Sequence, residues 1–136
     1  MSDISLTSTD YQVEKRSWIL SQFGQNPGEN PSVVLDQSAF TAGTHFPNGF
    51  FPSGTLLGKI TALSTATKTV VGPYDNTATD GREVFFGFLH SSVRVPTNGS
   101  DPGGAAVVAG FIKLSKLPIT LDAAGQADAK LCHFVA

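Results

Sequence analysis

Charged side chains are scarce in this chain. Lys, Arg, Asp and Glu make up 15% of its 136 residues, whereas a typical soluble domain has about 25%. Ser and Thr, 13 of each, take their place, together with 14 Gly and 8 Pro. Helical bundles and disordered tails are both rich in charge, so the composition speaks against both. It favours short strands, turns and surfaces that contact another molecule.

Cysteine and long apolar runs are also nearly absent. Cys132 is the only cysteine, so an internal disulfide is excluded. Secreted domains this rich in loops are usually stapled by disulfides, and the first residues do not read as a signal peptide. The longest apolar run, residues 105–112, is far shorter than the ~20 residues that span a bilayer. We therefore expect assembly in a reducing cytoplasm and no contact with a membrane.

The remaining charges and the three histidines form no pattern that indicates chemistry. The 9 basic residues are scattered, which speaks against nucleic-acid binding. The sequence contains no metal-ligand spacing, phosphate-binding loop, dinucleotide fingerprint or nucleophile elbow. Cys132 and His133 would point to opposite faces of a strand. We expect no enzymatic activity, no catalytic residue, no metal and no cofactor, and a module that acts by binding.

The first 30 residues differ from the rest of the chain. A segment rich in Gly and Pro separates the only tryptophan from everything that follows, so we divide the chain into an N-terminal arm with its linker, 1–30, and a β-rich domain, 31–136. Two interpretations of the arm stay open: it folds back into its own core, or it docks on a partner. The apolar residues that would carry either role are Tyr11, Val13, Trp18, Ile19 and Leu20.

A second unusual segment, residues 37–58, has no charged residue at all. A solvated loop of this length normally carries charge, so an aromatic segment rich in Gly and Pro is expected to lie against protein. Whether that protein is its own core or a neighbouring subunit is left open by the pattern. The candidates for a subunit interface are Phe40, His45, Phe46, Phe50 and Phe51.

The remainder of the chain alternates between short β-like runs and turn signals, which is typical of a small barrel or sandwich. Gly58 is expected to mark a bulge in one of these strands. A short helix is expected from Asp122, its N-cap, to Lys130, followed by a last strand from residue 131. The other predicted strands are residues 32–35, 55–63, 68–71, 83–90, 105–114 and 117–121.

Three blocks of this β-like region resemble the head decoration proteins of tailed bacteriophages, of the lambda D type. The blocks are a Ser-Gly-x-x-Leu-Gly-Lys run at residues 53–59, a Tyr-Asp turn at 74–75, and a Thr-Asp-Gly turn at 79–81 followed by an apolar strand that contains Gly87. Residues 40–49 are similar to versions from phages of actinobacteria. The resemblance covers roughly residues 33 to 135, and the arm has no shared motif.

The resemblance implies a β-tulip or barrel-like domain, mainly β, with a short C-terminal helix and an extended N-terminal arm. It implies a homotrimer on the outer surface of the expanded head, made in the host cytoplasm and bound to the major capsid protein, with no catalysis. The uncharged segment would then supply the subunit interface. The arm would supply a capsid contact that orders on the shell.

Two alternatives to a decoration protein remain open. One is another part of the virion, such as a head fibre base or a tail-tube accessory. The other is a soluble β module that binds carbohydrate or a cell surface, which would act as a monomer through an aromatic face.

Overall fold

Five strands close into a barrel in the computed structural model, which describes residues 16–21, 25, 28, 30–46 and 49–135. Around the barrel the order of strands is β1, β4, β3, β5, β7. β1 and β4 are parallel, and the other neighbours are antiparallel. The barrel strands are β1 (Ser32–Leu35), β3 (Leu56–Lys59), β4 (Val70–Pro73), β5 (Phe85–Leu89) and β7 (Gly103–Val107).

The other elements within the described residues form two small sheets and four short helices. β2 (Phe50–Phe51) pairs antiparallel with β6 (Val93–Arg94), and β8 (Gly110–Lys113) pairs parallel with β9 (Cys132–Val135). The helices are α1 (Ala42–His45), α2 (Ala123–Asp128) and two 3-10 turns, Gln37–Ala39 and Leu114–Lys116.

Alternation along the barrel strands divides the apolar residues between two cores. Successive side chains of a strand point to opposite faces, and the adjacent residues Leu56 and Leu57 fall into different clusters. We call the cluster that draws on all five barrel strands the interior core. It contains Val33, Leu35, Leu57, Val71, Leu89 and Ala106 from the barrel, with Phe40, Phe51 and Val95 packed against them.

The second cluster, the outer core, lies on the opposite face of β3, β5 and β7. Those strands contribute Leu56, Phe85, Phe88 and Val107. Trp18 from the N-terminal segment, Ile112 from β8, and Leu121 before α2 cover them. The outer core is therefore closed by the two ends of the described chain rather than by the barrel itself.

Two polar contacts hold α2 on the barrel. The Asp122 Oδ1 accepts a hydrogen bond from the Gly125 backbone N at 2.8 Å, as an N-cap does, and another from the Tyr74 hydroxyl at 2.8 Å. At the other end of α2, Asp128 Oδ2 accepts from the backbone N of Phe85 at 3.1 Å. Both ends of the helix are thus tied to barrel strands or to residues that follow them.

Most of the strand predictions are confirmed within a few residues. The Gly58 bulge is confirmed because the β3–β5 register shifts between Leu57 and Gly58. The Asp122 cap, the short C-terminal helix and the last strand are confirmed as well. β2, β6 and α1 were not predicted, because each is only two to four residues long.

Two predictions were wrong. Residues 105–114 form two strands instead of one, because the run breaks at residues 108–109, where the chain turns into Gly110, the first residue of β8, at φ 148°. Residues 117–121 form no strand. Pro118 has no backbone N–H to donate to a ladder, and a 3-10 turn, Leu114–Lys116, immediately precedes the segment.

Helices in the described part of the chain are short. None of them is both long enough and apolar enough to cross a membrane.

Candidate interaction surface

The uncharged segment mainly serves its own subunit. Phe51 is fully buried and Phe40 is 6% exposed. Their ring centroids lie 4.7 Å apart, and Phe46 packs on Phe51 at 5.1 Å. Phe40 and Phe51 close the interior core, so in this structure they are unavailable to a neighbouring subunit, and the interface hypothesis loses these two residues.

The other three interface candidates lie at the rim of the interior core. His45, Phe46 and Phe50 are each half-buried. The His45 Nδ1 accepts a hydrogen bond from the Thr41 backbone N at 2.9 Å, and its ring meets Phe40 edge-on at 5.3 Å. Burial lowers the pKa of His45. His45, Phe46 and Phe50 are thus the ring side chains of the segment that stay partly accessible, with Arg94 opposite Phe50 on β6, and their role as an interface stays a prediction.

The N-terminal segment folds back on its own domain. Trp18 is fully buried, and its ring lies 5.1 Å from that of Phe88 in the outer core. The backbone runs antiparallel to β8, with an isolated bridge between Ile19 and Ile112. The Leu20 N donates to the Phe111 O at 3.0 Å, and the Lys113 N donates to the Trp18 O at 2.8 Å. Residues 18–20 therefore act as a third strand beside β8 and β9.

Ser53 and Gly54 form the polar end of the socket that holds Trp18. The Trp18 Nε1 donates to the Ser53 Oγ at 3.2 Å, and that hydroxyl donates to the His90 backbone O at 2.7 Å. Gly54 has φ 92°, and a Cβ on it would lie 2.9 Å from the Trp18 Nε1. A glycine at this position therefore allows both the turn and the close approach of the indole.

Arg16 gives the segment a second polar anchor. Its Nη2 donates to the Ser91 Oγ at 2.9 Å, in the turn between β5 and β6. Arg16 thus bonds to the turn that follows β5, and Trp18 packs on Phe88 within β5, so both residues anchor the segment to the same part of the domain.

For Trp18, these contacts support the interpretation in which the arm folds back into its own core. Trp18 fills its own core and Ile19 is half-buried, whereas Leu20 is 50% exposed. Tyr11 and Val13 lie outside the described residues. A capsid contact through Tyr11, Val13, Ile19 and Leu20 stays a prediction, and Trp18 serves as the anchor of the arm.

The sequence analysis missed an exposed apolar surface on the small parallel sheet. Phe111 is 42% exposed and Leu131 is 66% exposed. Phe111 lies opposite His133 in the register, with ring centroids 5.7 Å apart, and the Leu131 O accepts from the Gly110 N. With Leu20, whose backbone bonds to Phe111, these residues form what we call the β8–β9 patch: Leu20, Phe111, Leu131 and His133. The sequence did contain one indication of this surface. Because neighbouring side chains of a strand point to opposite faces, a buried Ile112 implies an exposed Phe111.

A second exposed apolar region lies at the N-terminal end of β5, where Val84 precedes the strand. Val84 is 57% exposed and lines a surface cleft of about 300 Å³. Lys59, Thr61 and Phe86 also line the cleft. It is open to solvent, and its apolar walls carry one charge of each sign, Lys59 and Glu83.

Cys132 and His133 point to opposite faces of β9, as predicted. Cys132 packs on the outer core, and burial raises the pKa of its thiol to about 11. His133 is exposed and contacts Phe111. The thiol and the imidazole therefore do not form a nucleophile–base pair. Within the described ranges, no three His, Cys, Asp or Glu side chains come close enough together to hold a metal ion.

The blocks that carry the resemblance to decoration proteins come together in space. The Tyr74 N donates to the Leu56 O at 3.2 Å, and the Asp75 N donates to the Arg82 O, next to the Thr-Asp-Gly turn, at 3.1 Å. A Cβ on Gly58 would lie 2.7 Å from the Cα of Arg82, so glycine is required for this approach. The Ser-Gly-x-x-Leu-Gly-Lys block and the two turns are therefore parts of one structural unit.

Comparison with known proteins identifies no relative of this chain: no family model and no curated protein matches it. The resemblance to decoration proteins thus rests on the motif blocks and their arrangement.

Proposed function

We propose that this protein is a bacteriophage head decoration protein, which binds the outer surface of the expanded head as a homotrimer and stabilises it. The observation that carries the proposal is the convergence of the motif blocks. Residues 53–59, the turn at Asp75 and the turn at Asp80–Arg82 are separated in sequence, yet they bond to one another around the bulge in β3. Motifs that form one unit are more specific than three isolated turns.

The trimer interface in this proposal is the rim formed by His45, Phe46 and Phe50. Interface cores are depleted in charge and enriched in aromatic residues, and closed threefold symmetry uses one such surface three times. Because Phe40 and Phe51 pack beneath the rim, the surface is supported by the interior core.

The capsid contact in this proposal combines the β8–β9 patch with the chain that precedes Arg16. Leu20 links the two, because it follows Arg16 by four residues and its backbone bonds to Phe111 in the patch. Exposed apolar patches of this kind mark interaction sites. In a trimer three such surfaces would face the shell together, which raises the avidity without further contacts. The partner is the major capsid protein, and the protein would be found on the outside of the virion head.

The direct test looks for a major capsid protein encoded beside this gene and measures binding to empty shells assembled from it. Expanded and unexpanded shells are each mixed with the purified protein, sedimented, and imaged by cryo-electron microscopy. We expect saturable binding to expanded shells, density at threefold positions and a higher melting temperature of the shell. Absence of binding to expanded shells would contradict the proposal, and glycan binding by a monomer would favour the carbohydrate-binding alternative.

Phe111→Ser tests the patch, with Val84→Ser as the matched control. Both side chains are exposed apolar residues on strands or beside them, so both variants should fold normally. We expect Phe111→Ser to weaken shell binding and leave the trimer intact, and Val84→Ser to change neither. If Phe111→Ser instead dissociates the trimer, the patch is a subunit interface.

Deletion of residues 1–14 tests the arm. This truncation retains Arg16 and Trp18, so the outer core stays closed, whereas a longer deletion would remove its tryptophan. We expect a folded trimer with reduced shell coverage. Full coverage by the truncated protein would remove the arm from the capsid contact.

A further inference from the structure

The chain has five asparagines, and their neighbours differ in a way that affects their chemical stability. A backbone nitrogen that follows asparagine can attack the side-chain amide to form a five-membered ring, because the two groups are held close together in one chain. Asn26 and Asn30 precede prolines, which have no N–H to give up. The remaining candidates are Asn48, Asn76 and Asn98.

Asn76 is protected by its neighbour. The residue that follows it, Thr77, is β-branched and crowds the approach. The Thr77 N also donates to the Asp75 Oδ1 at 2.9 Å, so this nitrogen is engaged in a hydrogen bond. Asn76 is therefore a poor site for ring closure.

The two Asn-Gly pairs differ at the glycine nitrogen. Gly49 follows Asn48, and its N donates to the Phe46 O at 3.2 Å. Gly99 follows Asn98 in an exposed turn, and no hydrogen bond engages its nitrogen among the residues that the structure describes. Open space surrounds the Gly99 Cα, where an added Cβ would meet nothing within 4 Å. The nucleophile is thus available at Gly99 and engaged at Gly49.

The turn also activates the side-chain amide of Asn98. Its Oδ1 accepts two hydrogen bonds, from the Ser100 N at 3.1 Å and from the Ser100 Oγ at 2.7 Å. When a nitrogen attacks the amide carbon, negative charge develops on this oxygen. Two donors aimed at it stabilise that charge in the way an oxyanion hole does.

We propose that Asn98 is a site of spontaneous deamidation in the folded protein, with Asn48 comparatively protected. The Gly99 nitrogen bonds to the Asn98 Cγ and loses its proton, and the C–N bond of the side-chain amide breaks. The nitrogen leaves as ammonia with that proton. Water then opens the cyclic imide to aspartate or isoaspartate. Either product adds a negative charge at neutral pH beside Asp101, whose Oδ1 accepts from the Gln37 N at 3.1 Å.

The test is incubation of the full chain at mildly alkaline pH, followed by peptide mapping with mass spectrometry. We expect the amide-to-acid mass increase and the loss of ammonia at Asn98, as a mixture of aspartyl and isoaspartyl products. Asn48 should convert at least about fivefold more slowly, the rate equivalent of one hydrogen bond of about 1 kcal/mol. In denaturant the two Asn-Gly pairs should convert at similar rates, because Asn98 loses the Ser100 donors and the Gly49 nitrogen loses its bond to Phe46.

Substitutions in the turn separate the effect of the Ser100 hydroxyl from that of the residue that supplies the attacking nitrogen. Ser100→Ala removes the hydroxyl donor and should slow conversion at Asn98 about fivefold, whereas Thr97→Ala, the exposed control in the same turn, should leave the rate unchanged. Gly99→Ala should nearly abolish conversion, because of the added Cβ at a position with φ 81°. Equal rates at Asn98 and Asn48 in the folded protein would overturn the proposal. A Ser100→Ala rate equal to that of the unmodified chain would overturn the role of the hydroxyl.

Discussion

The interior core and the outer core are built from alternate faces of the same strands, yet they are closed in different ways. The interior core is surrounded by five hydrogen-bonded strands, and every barrel strand contributes to it. The outer core is covered by separate pieces from the two ends of the described chain. Loss of one interior side chain therefore disturbs the whole barrel, whereas the outer pieces can detach individually while the barrel persists.

The largest expected effect is that of Phe51→Ala in the interior core. Removing a fully buried phenylalanine costs the upper end of the usual range, about 5 kcal/mol, because the closed ring of strands cannot collapse onto the cavity. We expect one cooperative unfolding transition at a strongly reduced urea midpoint. Two separate transitions would show that the interior core is not a single cooperative unit.

Trp18→Ala should have a smaller effect, nearer the lower end of that range, about 3 kcal/mol. The N-terminal segment can leave its socket, so the cost is limited to the free energy of that local opening. Hydrogen exchange should show lost protection at Leu20 and Lys113, which bond to the segment, and unchanged protection within the barrel. Uniform loss of protection would mean that the two cores unfold together.

Ser53→Ala tests the polar end of the Trp18 socket. The Nε1 of the buried indole would lose its acceptor, which costs about 1–3 kcal/mol. Ser38→Ala, at an exposed hydroxyl that bonds to Asp36, is the matched control and should cost less. Equal losses in the urea midpoint for the two variants would show that the hydrogen bond to Trp18 contributes nothing.

Tyr74→Phe should have the smallest effect at neutral pH, about 0.5 kcal/mol, because its bond to Asp122 is exposed. Partial burial and that hydrogen bond raise the pKa of the Tyr74 hydroxyl. Above about pH 10, the usual tyrosine value, the unfolded chain therefore loses this proton more readily than the folded protein does. Stability should fall in that range, and the fall should be shallower in Tyr74→Phe when melting temperature is measured against pH.

The parts of the fold that depend on local chemistry could be predicted from the sequence. Short β-like runs between turn signals located the barrel strands, Gly58 marked the bulge, and Asp122 capped α2. The destination of Trp18 could not be predicted, because it depends on Ser53 and Ile112, which are distant in sequence. Pattern alone assigns no partner to a segment that has no clear hydrophobic period.

The candidate surfaces were only partly predictable for the same reason. An absence of charge identifies protein contact, but it does not distinguish an internal contact from an external one. Phe51 went into the core while Phe50, its neighbour on the other face of β2, stayed near the surface. The β8–β9 patch was missed because Phe111 and Leu131 become neighbours only after β9 pairs with β8.

The pairing of residues 18–20 with β8 has a consequence for synthesis. Ile19 leaves the ribosome roughly 90 residues ahead of its partner Ile112. At translation speeds of about 5–20 residues per second, Trp18 waits roughly 5 to 20 seconds for its site to be completed. During that interval an apolar N-terminal segment is available to chaperones, to other nascent copies and to proteases, and it is withdrawn from all of them once β8 has folded.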